Sequence, residues 1–71
     1  MSNSQYLLLE MEKEELIKEK DNLVNEAQYM GVKCGHTQEK IQKEVYHIMS
    51  EFQQTMEVVI KEQERLKEYY L

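Results

Sequence analysis

Residues 41–69 read Ile-Gln-Lys-Glu-Val-Tyr-His-Ile-Met-Ser-Glu-Phe-Gln-Gln-Thr-Met-Glu-Val-Val-Ile-Lys-Glu-Gln-Glu-Arg-Leu-Lys-Glu-Tyr. Side chains suited to a seam return at alternating four- and three-residue steps: Ile41, Val45, Ile48 and Phe52, then Thr55 and Val59, a lapse at Glu62, then Leu66 and Tyr69. An α-helix turns once per about 3.6 residues, so this spacing keeps one stripe pointed at a neighbouring helix. An earlier stripe supplies that neighbour. Leu9, Leu16, Leu23 and Met30 recur every seven residues, with Ile17, Val24 and Ala27 beside them. The pattern predicts an all-α protein of two packed helices.

The breakers place the boundary between them. The chain has no proline, and its only glycines are Gly31 and Gly35. Helix one is expected over residues 4–30, capped by Ser2, Asn3 or Ser4, with Gly31 as its left-handed C-terminal residue. The turn then covers 31–36 and helix two covers 37–70, with Thr37 as N-cap and Glu39 facing the positive end of the helix dipole. A connection this short folds the helices back antiparallel, so residues 1–71 are read as one helical hairpin. Helix two is expected to overhang helix one. The alternative is a single helix running through both glycines into a parallel coiled coil, at a cost of about 2 kcal/mol.

Helix two is apolar over more than one face. Met56, Val58, Val59 and Ile60 span an arc that one partner helix does not cover, which predicts a second hairpin and a homodimeric four-helix bundle. The expected protein-binding or dimer-interface residues are Phe52, Met56, Val59, Ile60, Leu66, Tyr69 and Tyr70, with Phe52 in the core. Lys13 and Lys20 are expected to flank the helix-one stripe with their alkyl stems packed and their ammonium groups in water. Thr55 and Glu62, as polar seam residues, are expected to set register.

Composition narrows the function. Seventy-one residues make a small core that ordinarily needs reinforcement, and a single cysteine, Cys34, cannot supply an internal disulfide. Self-association and a reducing, cytoplasmic setting follow as expectations. No secretory signal is expected in the polar opening residues, and no apolar run approaches the roughly 20 residues of a membrane span. A net charge of −5 argues against nucleic acid, although Lys33, Lys40 and Lys43 gather near the turn. Cys34 and His36 offer two ligands where a structural zinc site takes four, so no metal and no cofactor is expected. His47 lies on an outward face. The glutamates of helix one alternate with lysines as a solvated surface, and no phosphate loop or nucleophile elbow is present.

One resemblance rests on Ile17, Leu23, Ala27, Gly31, the Gly35-His36 turn, Thr37 and Phe52-Gln53-Gln54. On these positions the chain resembles the short aspartyl-phosphate phosphatases of spore-forming bacilli. Their Ser-Gln-Glu-Leu-Asp motif falls on Gln42-Lys43-Glu44-Val45-Tyr46, of which Glu44 is identical and Val45 conservative. The resemblance implies a helical hairpin acting on a response regulator, with Gln42, Glu44 and Gln38 as the residues to orient an attacking water. The residues read for themselves point instead to a regulatory interaction module that self-associates and binds another protein through the apolar surface of helix two.

Overall fold

Two helices account for the structure: α1, Asn3–Lys33, and α2, Gln38–Tyr70. The computed structural model describes residues 3–70, and side chains for residues 4–69. Among the described residues there is no strand, and no helix is long and apolar enough to cross a membrane. The helices fold back on each other as an antiparallel hairpin, not as one continuous rod. Near the turn Gly31 meets Ile41, and at the far end Gln63 reaches Tyr6 and Glu10.

The turn differs from the expectation in one instructive way. Gly35, not Gly31, takes the left-handed conformation, with φ 72°. The His36 amide donates to the Gly31 carbonyl at 2.9 Å and the Gly35 amide to the Val32 carbonyl at 3.1 Å. Those two bonds are the pair that closes a Schellman cap. Gly31 stays helical, and α1 runs three residues past Met30. It is a glycine for a different reason. A Cβ built there lies 2.5 Å from Ile41 Cγ1 and 2.9 Å from Cδ1, so only a missing side chain lets α2 approach this closely. Thr37 then caps α2 as expected, its Oγ1 accepting from the Lys40 amide at 3.2 Å, and Glu39 sits in the first turn.

The seam also departs from a strict heptad. Ile41, Val59 and Leu66 are the buried apolar residues, with Val45, Ile48, Phe52 and Met56 half-buried between them. After Phe52 the buried line steps four to Met56 instead of three to Thr55, and then passes through Val59, Gln63 and Leu66. An untwisted helix has about 3.6 residues per turn, so a seven-residue repeat drifts about 20° per heptad. Four heptads carry Tyr69 about 80° away from the line of Ile41, and Tyr69 is 76% exposed. Thr55 turns instead to its own helix, its hydroxyl donating to the Glu51 carbonyl at 3.2 Å. Glu62 pairs with Arg65 on the same helix, both carboxylate oxygens lying 3.1 Å from Nε.

On α1 the expected stripe holds in its first half, where Leu9 and Leu16 are half-buried, and fails nearer the turn. Lys13 and Lys20 are half-buried in the seam beside Tyr6, Val24, Ala27 and Gly31, whereas Leu23 and Met30 are 44% and 49% exposed. Lysine stems are long enough to fill a two-helix seam while their ammonium groups reach carboxylates at its edge, Glu10 at 2.9 Å and Asp21 at 3.3 Å. The expected overhang is absent. At 31 and 33 residues the helices are nearly flush, and the hairpin measures 53 × 15 × 9 Å. Its radius of gyration is 16.3 Å, against about 11 Å for a compact chain of this length.

Candidate functional site

A two-helix rod has no interior for a site, so whatever it recognises meets the seam ends or the two flanks where the helices border a groove. On the first flank, Gln28 and Val32 of α1 face Gln38, Gln42, Val45, Tyr46 and Met49 of α2 across an open groove of about 440 Å³. It continues along the rod past Ile17, Met49, Gln53 and Met56. The α2 wall of this groove is a second four-three repeat, Tyr46, Met49, Gln53, Met56 and Ile60, rotated about 90° from the buried seam. Tyr46, Met49 and Ile60 are 74%, 48% and 39% exposed. This is apolar surface without a neighbour in the chain.

The second flank has a different border. Leu23, Ala27 and Met30 of α1 form its floor with Ile48 of α2, and Glu26 stands beside them. Glu44, His47, Lys40 and Lys43 adjoin Ile48 from the other side. Amides line the first groove, whereas the second is bordered by charges of both signs, Glu26 and Glu44 with Lys40, Lys43 and His47.

At the end remote from the turn, the seam holds one polar group. Gln63 is 4% exposed, and its Nε2 donates to Glu10 Oε1 at 2.9 Å while lying 3.5 Å from the Tyr6 carbonyl. Lys13 Nζ approaches the same carboxylate oxygen at 2.9 Å. The Lys13 ammonium, and after it the Gln63 amide, holds the Glu10 carboxyl below the usual glutamate range. A buried amide with a single charged partner sets the stagger of the two helices, because sliding either helix by one turn strands it. Sequence reasoning looked for register at Glu62 and missed Gln63. The signal was available: Gln63 lies four residues past Val59 and three before Leu66.

The expected interface residues divide three ways. Val59 and Leu66 are buried within the hairpin and present no surface to another chain. Met56 and Ile60 border the first flank, and half-buried Phe52 sits between that flank and the seam. Tyr69 is exposed, and the Tyr70 side chain lies outside the described residues. Val58, 67% exposed, points to the second flank, so the wide apolar arc of α2 serves both sides.

The residues implied by the phosphatase resemblance do not come together. Gln38 and Gln42 line the first groove, whereas Glu44 borders the second. His47 Nε2 contacts Glu51 Oε1 at 3.0 Å on the exposed surface, and Lys43 meets Glu39 at 3.7 Å. Lys33 lies 5.4 Å over the Tyr29 ring. Cys34 is exposed, and among the described residues no three His, Cys, Asp or Glu side chains converge as a metal would require. Comparison with protein-family models, curated proteins and solved structures finds no match for the chain.

Proposed function

We propose that this chain is a helical interaction module that pairs with a second copy of itself through the first flank, forming a four-helix bundle. The observation that carries the reading is the exposed repeat Tyr46, Met49 and Ile60 on α2, with half-buried Met56 at its edge. Surface area points the same way. The hairpin exposes 5898 Å², where a folded monomer of its mass exposes about 4,700 Å². The excess is of the order that one standard interface removes from each partner, about 800 Å².

The repeat also sets a direction. Antiparallel α2 helices related by a two-fold axis at Gln53 place Tyr46 against Ile60, with Met49 and Met56 staggered by one residue between them. Glu39 then faces Lys67, whereas a parallel pair sets each of these charges against its own kind. The exposed thiol of Cys34 supports a reducing, cytoplasmic setting. Light scattering on a size-exclusion column should give twice the chain mass of 8.6 kDa, and Met49→Glu with Ile60→Glu should give a helical monomer. A wild-type monomer at high concentration would remove the basis for the reading.

The second reading, an aspartyl-phosphate phosphatase acting on a response regulator, is supported by the amides of Gln38 and Gln42 sharing one groove. An amide orients an attacking water without titrating. Release of phosphate from a phosphorylated receiver domain, lost in Gln42→Ala, is its test; release that survives that substitution removes this residue assignment.

A further inference from the structure

The seam of the hairpin stays in phase through its own turn. Facing residues have numbers that total 72: Gly31 meets Ile41, and Lys20 with Phe52 and Leu16 with Met56 line one stretch of groove. From Tyr6 to Gly31, and again from Ile41 to Leu66, the buried and half-buried seam positions step by three or four residues. Cys34 and Gln38 continue those steps across the gap between Gly31 and Ile41. Carried through the connector, the stripe returns about every 3.5 residues, the period of a left-handed coiled coil. No proline interrupts it, and neither connector position on the stripe is charged.

Few residues separate the closed turn from a helix. The Cys34 amide already donates to the Met30 carbonyl at 2.9 Å and the Ile41 amide to the Thr37 carbonyl at 3.0 Å, both at helical spacing, so only Gly35, His36 and Thr37 change conformation on opening. Opening gives up the Thr37 cap and the bonds from the Gly35 and His36 amides, and helical hydrogen bonds replace them. The closed turn also buries His36 Nδ1 with no hydrogen-bond partner among the described residues, which disfavours it. In a continuous helix His36 falls opposite the stripe, facing water. Gly35, with φ 72°, is the residue that favours closure, because glycine resists a helix interior.

We infer that the hairpin opens at this turn into one continuous helix, and that two copies exchange α2, each α1 packing on the α2 of the other chain in an antiparallel rod. With facing numbers that total 72, a two-fold axis at residue 36 restores every seam contact between chains and adds one, Cys34 against the partner's Gln38. A parallel pair would instead set Lys13 and Lys20 each against its own kind. The exchange uses the seam and leaves the first flank uncovered, so it does not rest on the pairing proposed there. A short connection holds its two ends at an effective concentration of about 1 mM, so exchange competes with closure as the chain concentration approaches that value.

The test refolds the intact protein from urea over about 10 μM to 1 mM and reads mass by light scattering and length by small-angle X-ray scattering. Wild type at the upper end should contain a dimer roughly 100 Å long, against 53 Å for the hairpin. Gly35→Ala should reach the same dimer share at a concentration about tenfold lower or less, and should return to the hairpin in dilute solution with its helical circular dichroism retained. A nitroxide on Gln54→Cys in a Cys34→Ser chain gives the strand direction. The exchanged rod sets the two labels about 54 Å apart, whereas a parallel rod or a first-flank dimer brings them within about 25 Å. An elongated dimer with close labels would overturn the exchange, as would equal concentration dependence in wild type and Gly35→Ala, or monomers throughout in both. A dimer no longer than the hairpin would uphold the first-flank pairing and overturn this inference. An elongated dimer formed by the Met49→Glu, Ile60→Glu protein, with labels far apart, upholds the exchange even if the first-flank pairing fails.

Discussion

Gly31→Ala is the perturbation that tests the packing most directly, because two effects of opposite sign meet at one atom. Inside a helix alanine is favoured over glycine by about 1 kcal/mol, and Gly31 has ordinary helical φ, so the backbone alone predicts a gain. The added Cβ, however, would stand 2.5 Å from Ile41 Cγ1 and 2.9 Å from Cδ1. Ile41 is 5% exposed, and Cγ1 is close to its backbone, so the clash is not relieved by swinging a flexible tip. Overpacking of this kind costs about 1–3 kcal/mol, and with two contacts this short the upper part of the range applies. The net expectation is a loss of about 2 kcal/mol, or roughly 8–16 °C in melting temperature for a chain this small. Ile41→Ala removes both clashing carbons and leaves only Cβ, 3.6 Å away. In that background Gly31→Ala should reverse sign and stabilise by about 1 kcal/mol. The double-mutant coupling is then about 3 kcal/mol. Urea titration at fixed chain concentration, followed by circular dichroism with trimethylamine N-oxide to hold the Ile41→Ala variants folded, measures all four proteins. A Gly31→Ala protein that melts above wild type, or a coupling below about 0.5 kcal/mol, would refute the close approach.

The other perturbations separate further elements of the fold. Gly35→Ala should cost about 1 kcal/mol through its left-handed backbone alone, and the loss should be the same with or without Ile41, since no atom lies within 4 Å of a Cβ there. Val59→Asp should abolish the cooperative melt by burying an unpaired carboxylate, while Val58→Asp, one residue earlier and 67% exposed, should shift stability by no more than about 0.5 kcal/mol. Glu10 has a folded-state pKa below its unfolded value, so its contribution is present above the unfolded pKa and is lost as pH falls through the folded one. Glu10→Gln should therefore flatten the acid side of the stability–pH curve measured by thermal melts, and an unchanged acid limb would show that the Lys13 and Gln63 contacts do not persist in solution.

Sequence periodicity was enough to settle that the chain is helical, that it has two helices, and that the break falls between Met30 and Gln38. Those features depend on local chemistry: apolar spacing near the helical period, no proline, and Thr37 and Gly35 in positions where a cap needs them. The outward placement of Ile60 beside the seam was also legible, because a helix two turns long already shows which residues share a side. What failed was inference over distance. A seven-residue template drifts against a 3.6-residue helix, so Thr55 and Glu62 were assigned to the seam where Met56 and Gln63 lie, and Tyr69 was carried out of it, while Val59 and Leu66 stayed. The role of Gly31 was equally hidden, since glycine serves a left-handed cap and a close helix approach alike, and only the position of Ile41 distinguishes them. The division of the exposed surface into an amide-lined flank and a flank of mixed charge likewise required both helices in place. Each groove takes one wall from residues about 20 apart in the chain, and the pairing of walls is set by how the hairpin closes, not by any local pattern.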